Sequence, residues 1–367
     1  MLLRQCLRPA RIPLPSLTDG MPKSQRQMKI VIDSHIPYIR DAIARITPDA
    51  VYIDGKDITN ADVRDADALI VRTRTACDER LLHGSTVRFI ATATIGYDHL
   101  DTAYLERAGI KWINCPGCNS GSVAQYIRSA LLLLLRAHYI YKGGTLGIVG
   151  VGHIGAKVRA LAAELGLRVV ACDPPRHDND GDDSCGASMD EIAATCDVIT
   201  FHVPLTRTGK YPTFHIAGNQ FLSSLKRKPV IINTSRGAVV DNLALLDALN
   251  KGTVSQTVID TWENEPHINL QLLERAFIAT PHIAGYSADG KANADNMVLD
   301  ALCRFFRLSH TPHVSPPDII LNEPLPERGT ADFYLRMYNP MDDSRKLKTD
   351  PQAFESLRSN YPLRREP

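Results

Sequence analysis

The sequence predicts an α/β architecture of two successive parallel-sheet domains followed by a smaller C-terminal segment. Three observations carry this. A length of 367 residues exceeds one ordinary core and suits two domains of roughly 100 to 200 residues each. Short apolar, β-rich runs alternate with helical stretches, the pattern of a parallel sheet covered on both faces. A glycine-rich turn, Gly150-x-Gly152-x-x-Gly155, sits where the first strand of the second series ends.

Along the chain, Met1 to Gln27 carries several Arg and Lys and four prolines with little hydrophobic periodicity. It is expected to be a disordered leader, either an over-long start or a tag-like stretch; a transit peptide would be Arg- and Ser-rich and acid-poor, which it only partly matches. From Met28 the strand-like runs are Lys29–Asp33, Val51–Ile53, Ala68–Val71, Phe89–Ala91 and Trp112–Asn114. A helix is expected over Gly121–Tyr141, and a second series follows at Thr145–Val149, Arg168–Cys172, Val198–Phe201, Val230–Asn233, Thr257–Asp260 and Phe277–Ala279. A helical stretch near Gly290–Leu308 is expected to cross back to the first domain. The chain thus divides into a leader (1–27), a discontinuous first domain (28–117 and 290–308), a second domain (118–289) and a lobe (309–367) that opens with a Pro-rich linker. That lobe is too small to fold confidently alone and suits an oligomer interface.

Composition excludes several function classes. Lysine plus arginine (42) nearly cancels aspartate plus glutamate (41), so no global field is available for nucleic acid or an anionic membrane surface. The longest apolar run, Ala130–Leu135, is far below the ~20 residues that span a bilayer. Eight scattered cysteines without framework spacing point to reduced thiols in the cytoplasm. Cys115-Pro116-Gly117-Cys118 is a turn, a redox dithiol or half a zinc site; with no second Cys or His cluster to complete it, no metal is expected.

The glycine turn joins the strand Thr145–Val149 to a helix through Ala156–Leu165. Gly150 allows the tight turn, Gly152 a close approach of backbone to a pyrophosphate, and Gly155 close helix packing, while the helix N-terminus favours negative charge. Asp173 falls 18 residues after Gly155, at the end of the next strand. Its carboxylate suits a ribose hydroxyl pair and repels a 2′-phosphate, which predicts NAD. Arg176 nearby is the contrary signal and keeps NADP open.

Three further residues follow the ends of successive later strands: Arg236 in Asn233-Thr-Ser-Arg-Gly-Ala-Val-Val-Asp241, Glu265 in Asp260-Thr-Trp-Glu-Asn-Glu-Pro266, and His282 in Thr280-Pro-His-Ile-Ala-Gly-Tyr286. Ligand crevices of open α/β sheets lie beyond the carboxyl ends of the strands, so the three can converge there. Arginine can grip a carboxylate bidentately, histidine can take a hydroxyl proton near neutral pH, and a carboxylate beside the imidazole raises its pKa.

Together with the glycine turn, these stretches resemble the D-isomer-specific 2-hydroxyacid dehydrogenases over most of Met28–Leu308. The resemblance implies two Rossmann-like doubly wound parallel-sheet domains with a cleft between them, plus a small C-terminal accessory lobe. It makes 28–117 with 290–308 the substrate-binding domain, 118–289 the NAD-binding domain and 309–367 a dimerisation lobe, the protein being a homodimer. It carries catalytic roles onto Arg236, Glu265 and His282, and cofactor contacts onto Gly150, Gly152, His153, Ile154, Gly155, Asp173, Val203, Asp260 and Gly285. The stretches Ala66–Thr75, Ala91–His99, Pro116–Asn119, Cys172–Pro175, His282–Tyr286 and Phe354–Tyr361 point within the family to members that act on a phosphorylated sugar acid in vitamin B6 biosynthesis. Substrate contacts then fall on Arg72, Thr73, Arg74, Thr94, Gly96 and Tyr286. Arg72 and Arg74 suit a phosphate, which needs charge-assisted donors that a lactate-type acid does not.

Two departures stand out: the chain stops soon after Arg364-Arg365, and Val203 occupies a position where threonine is expected. Another 2-hydroxy acid (3-phosphoglycerate, glyoxylate or hydroxypyruvate) and a non-enzymatic, corepressor-like NAD sensor remain the alternatives.

Overall fold

The computed structural model describes residues 27–318 and 324–367; the expectation for the leader up to Arg26 lies outside the described residues. Strands β1 (Ile30–Asp33), β2 (Ala50–Ile53), β3 (Ala68–Val71), β4 (Phe89–Thr92) and β5 (Lys111–Ile113) form one sheet in the order β2-β1-β3-β4-β5. Strands β6 (Thr145–Val149), β7 (Arg168–Cys172), β8 (Val198–Phe201), β9 (Val230–Asn233), β10 (Gln256–Ile259) and β11 (Ile278–Ala279) form a second, in the order β11-β10-β9-β8-β6-β7. Every strand pair is parallel. Strands β1, β3, β4, β6, β8 and β9 are buried along their whole length, as apolar runs covered by helices on both faces must be.

In both sheets the order reverses beside the first strand, between β1 and β3 and between β6 and β8. Such switch points open a crevice at the carboxyl ends of the strands. They also place the Arg72–Arg74 turn after β3 and the glycine turn after β6 each beside the switch point of its own sheet.

The helix Ala288–Phe306 follows the second sheet but packs on the first, its Val298, Leu299 and Leu302 joining Ile30, Ile70 and Phe89 in one core. Phe89 lies 5.1 Å from Phe305 and 6.4 Å from Phe306, ring centre to ring centre. The expected Gly121–Tyr141 helix runs instead over Ser120–Arg136, and His138, with φ of 59°, takes the left-handed conformation just beyond its end. Among the described residues no helix is long and apolar enough to cross a membrane.

Among the described residues the C-terminal lobe carries the α-helices Ala331–Met337, Pro340–Thr349 and Phe354–Ser359, and it shares the core of the second sheet. Leu347 and Phe354 are fully buried among Ile259, Trp262 and Ala279. Ser344 accepts the N–H of Ala279 at 2.9 Å, so the lobe covers the edge strand β11 of its own chain. Arg364 is buried and donates to the carbonyls of Ile283 (3.1 Å) and Ala284, and to Gln125 (3.0 Å).

Candidate active site at the strand ends

The glycine turn has the geometry its spacing requires. Gly150 has φ of 92°, and a Cβ there would lie 2.6 Å from the His202 carbonyl and 2.7 Å from Val203. A Cβ on Gly155 would meet the Gly150 carbonyl oxygen at 2.0 Å, whereas one on Gly152 would meet open space. The helix His153–Glu164 starts here, so its first N–H groups border that space. The exposed His153 ring packs against Gly117, at the end of the first domain, and Ile154 is half-buried. Asp173 follows β7; its Oδ2 accepts the Val151 N–H at 2.7 Å and its Oδ1 the Arg176 N–H at 3.1 Å. The Arg176 guanidinium, the contrary signal in the sequence, donates to the Val151 carbonyl at 2.8 Å and pairs with Asp182 at 2.7 Å.

Three buried polar atoms beyond β8, β9 and β10 have no protein partner: His202 Nδ1, Thr234 Oγ1 and Thr261 Oγ1. Burial pushes the His202 imidazole down to about 3, so it is neutral, with Nε2 3.0 Å from the Thr200 hydroxyl. Buried polar groups without partners are costly. A polar ligand laid along these strand ends from the glycine turn would satisfy them, and a dinucleotide has that shape and polarity.

The three candidate catalytic residues come from neighbouring strands, since β9, β10 and β11 are adjacent. Asn233 shapes the turn that carries Arg236: its Oδ1 accepts the Ser235 N–H at 3.1 Å and its amide donates to the Arg236 carbonyl at 3.0 Å. Gly237 is obligatory, because a Cβ would sit 1.8 Å from the Trp262 carbonyl oxygen. The Arg236 guanidinium donates to the Ser235 carbonyl at 2.8 Å and reaches the first domain, where a Cβ on Gly96 would lie 3.3 Å from its Nη2. Beside Gly96, the Thr94 hydroxyl donates to the Gly96 carbonyl at 2.8 Å and lies 2.7 Å from Thr92 Oγ1.

Glu265 and His282 form a direct pair, His282 Nδ1 lying 2.8 Å from Oε2 and 3.1 Å from Oε1. Trp262 N–H donates to Oε1 at 2.8 Å and steadies the carboxylate. Burial works to raise the Glu265 pKa, but the hydrogen bond and charge of His282, with help from Trp262 and Arg358, hold it below the usual range. His282 has φ of 59°, an unusual conformation for a non-glycine residue. Its loop is held by Asp260, which is fully buried and accepts from the Thr280 hydroxyl (2.6 Å) and the N–H groups of Ile283 (2.7 Å) and Ala284 (2.9 Å). Asp260, expected among the cofactor contacts, has its carboxylate engaged by the His282 loop. Gly285, in the same loop, abuts the Asn119 side chain, where a Cβ would be 2.2 Å from its amide nitrogen.

Arg72 and Arg74, expected at the substrate phosphate, each have a protein partner. Because β1 and β3 are neighbours, Arg72 meets the fully buried Asp33 at the end of β1 in a two-bond ion pair of 2.9 and 3.3 Å. Arg74 is exposed and pairs with Glu355 of the lobe. Thr73, between them, is exposed. Tyr286 is half-buried, its ring edge-on to Tyr361 at 6.1 Å and 4.8 Å from the Lys291 ammonium. The sequence reading missed Arg358, whose Nη1 stands 3.6 Å from Glu265 Oε2. No pattern could have found it, since it lies 93 residues after Glu265 on a helix of only six residues.

One His/carboxylate group, His215 with Asp241 and Glu263, brings its ligand atoms within 4.8 Å of one another. The imidazole itself links the two acids, Nε2 to Glu263 at 2.7 Å and Nδ1 facing Asp241 at 3.6 Å, while Asp241 also caps the helix Asn242–Lys251. It reads as a clamp between loops.

Residues 135–284 match the family model described as "D-isomer specific 2-hydroxyacid dehydrogenase, NAD binding domain". The erythronate-4-phosphate dehydrogenase of Bacteroides thetaiotaomicron is 54% identical over 341 residues, 92% of this chain and 97% of that protein. The protein of the same name from Shigella flexneri is 40% identical over 355 residues, 92% of each chain. Among solved structures, NAD-bound 3-phosphoglycerate dehydrogenase of Entamoeba histolytica superposes with a TM-score of 0.64 at 25% identity, covering 80% of this chain and all of that one. D-lactate dehydrogenase of Aquifex aeolicus, with NAD and lactic acid, gives 0.62 at 24% identity over 76% of this chain and 96% of its own, a likeness of fold. On these grounds the chain belongs to the D-isomer-specific 2-hydroxyacid dehydrogenase family, as an NAD-dependent oxidoreductase of the erythronate-4-phosphate dehydrogenase group.

Proposed function

We propose that this protein oxidises 4-phospho-D-erythronate to 2-oxo-3-hydroxy-4-phosphobutanoate in vitamin B6 biosynthesis, with His282 and Glu265 as the acid-base pair and Arg236 as the carboxylate anchor. The observation that carries the reading is the 2.8 Å His282–Glu265 contact at strand ends next to the glycine turn, in a chain 54% identical to a protein of that name. NAD, held at the glycine turn, would supply the acceptor for the hydride that leaves C2 of the hydroxy acid. The protein's own residues do the rest. Glu265 accepts a hydrogen bond from the Nδ1–H of His282, which fixes the tautomer and leaves Nε2 to remove the substrate hydroxyl proton. The carboxylate then stabilises the imidazolium that forms. Arg236 holds the substrate carboxylate and the emerging carbonyl oxygen. Thr73, Thr94 and Tyr286 offer hydroxyls to the substrate oxygens, and Gly96 keeps the floor of the site close to Arg236. Asp173 selects NAD through its ribose, while Gly150, Gly152, Gly155, His153, Ile154, Val203 and Gly285 line the cofactor.

In this reading residues 28–117 and 290–308 bind substrate, 118–289 bind NAD, and 309–367 support a cytoplasmic homodimer. The test is NADH formation across a panel of 2-hydroxy acids with and without a terminal phosphate. The highest kcat/KM is expected for 4-phosphoerythronate. A higher value for 3-phosphoglycerate, or for hydroxypyruvate or glyoxylate in the reverse direction, would reassign the substrate. Tight NAD binding with no turnover on any acid would favour a sensor.

A further inference from the structure

We propose that Arg358, delivered by the C-terminal lobe, is a positioning residue of the active site that holds Glu265 in register behind His282. The proposal rests on the reading of His282 and Glu265 as the acid-base pair. Its starting point is the set of contacts around the carboxylate. Oε1 takes the Trp262 N–H, both oxygens face His282, and Oε2 alone faces the Arg358 guanidinium at 3.6 Å. Glu265 therefore lies between two partners, His282 from the loop after β11 and Arg358 from the lobe.

The helix Phe354–Ser359 is anchored for this task at three points. Phe354 is fully buried in the core of the second sheet. Glu355 pairs with Arg74 from the first sheet. Arg358, three residues on and so on the same helical face, meets Glu265 from the second sheet. One short helix thus touches both walls of the cleft, and its cation is the part that meets the catalytic pair. Burial disfavours the charge on Arg358, but the Tyr286 hydroxyl and the Glu265 carboxylate keep it protonated. These partners offset the desolvation of the half-buried guanidinium.

The charged and titratable groups around the pair are Asp260 beneath His282, Arg364 on the carbonyls of Ile283 and Ala284, Arg358 beside Glu265, and Tyr286 and Glu355 flanking Arg358. Among these, Arg358 is the cation that meets Glu265, and it draws on the same carboxylate as the imidazolium that forms in turnover. Removing it leaves the Glu265 charge to His282 alone, so His282 binds its proton more tightly. Oxidation requires neutral His282, hence the acid limb of the rate profile moves to higher pH.

The experiment uses the full chain and NAD at saturation, with Arg358→Gln, Arg358→Lys and His282→Asn compared across pH. Arg358→Gln is expected to move the acid limb of kcat/KM upward by about half a unit to one unit, as loss of a nearby opposite charge does. It is expected to cut kcat at pH 7 about three- to tenfold and leave the NAD Kd within about twofold, while Arg358→Lys restores the limb. An unmoved limb in a folded Arg358→Gln protein overturns the proposal. So does a rise in KM confined to the phosphorylated substrate, which would make Arg358 a substrate contact instead. If Arg358→Gln fails to fold, Arg358→Met carries the same test: an acid limb moved upward supports the proposal, and an unmoved limb overturns it. Retained turnover in His282→Asn removes the acid-base pair itself, and that outcome is separate from a failure of Arg358 alone.

Discussion

Arg72 shows how a residue's surroundings decide its work. Read along the chain it is a cation at the mouth of a crevice; in the fold it balances the fully buried Asp33, whose second neighbour is the His35 N–H at 2.9 Å. Removing one member of such a pair leaves an unpaired buried charge. Arg72→Ala is therefore expected to lower unfolding free energy by about 3 kcal/mol in a denaturant titration, and Arg72→Ala with Asp33→Asn to recover much of it. Equal losses in the single and double variants would show that the pair is not what Arg72 supports. Asp33 lies 39 residues before Arg72, so this partnership depended on strand order and could not be read from local pattern. Residues fixed by local backbone chemistry were legible. Asp173 is one, and Asp173→Ala is expected to weaken NAD binding and narrow the preference over NADP, measured by titration with both cofactors. The gap should narrow without inverting, because Arg176 stays engaged with Asp182 and the Val151 carbonyl. An unchanged ratio would remove Asp173 from cofactor selection.

At the scale of elements, the strands were legible because parallel strands buried on both faces must be continuous apolar runs, and each expected run lies within a residue or so of an observed strand. Helix ends were less so. The stop after Arg136 depends on a left-handed His138, a conformation the residue type does not announce. The glycine turn was legible because Gly150 and Gly155 answer steric demands of the turn itself, while Gly152 borders open space. Gly155→Ala forces a Cβ to within 2.0 Å of the Gly150 carbonyl oxygen, so the turn must open. NAD affinity is expected to fall by about tenfold or more while far-ultraviolet circular dichroism is preserved, the helix being otherwise a good one. Wild-type affinity would show that the turn adapts and that its close packing is dispensable.

At the scale of the molecule, the lobe was the least legible part. Its buried anchors are few, chiefly Phe333, Tyr338, Leu347 and Phe354, and they are spread over short helices whose partners lie far earlier in the chain. No periodicity within 309–367 says that it will cover β11 or reach Glu265. Phe354→Ala is expected to cost about 3 to 5 kcal/mol, the usual loss for a buried phenylalanine, read from thermal or denaturant unfolding. It should also reduce turnover beyond the unfolded fraction, because the helix that carries Arg358 loses its anchor. Undiminished specific activity would make the lobe's packing irrelevant to the chemistry. The tail has a consequence in time as well as in space. Arg364 ties down the carbonyls of Ile283 and Ala284, immediately after His282, from 80 residues further along the chain. Synthesis runs from the N-terminus, and domains form as they emerge. A nascent chain can therefore complete both sheets and the glycine turn while the His282 loop still lacks its last fastening, so the site gains its final shape only once residue 364 has been made and folded back.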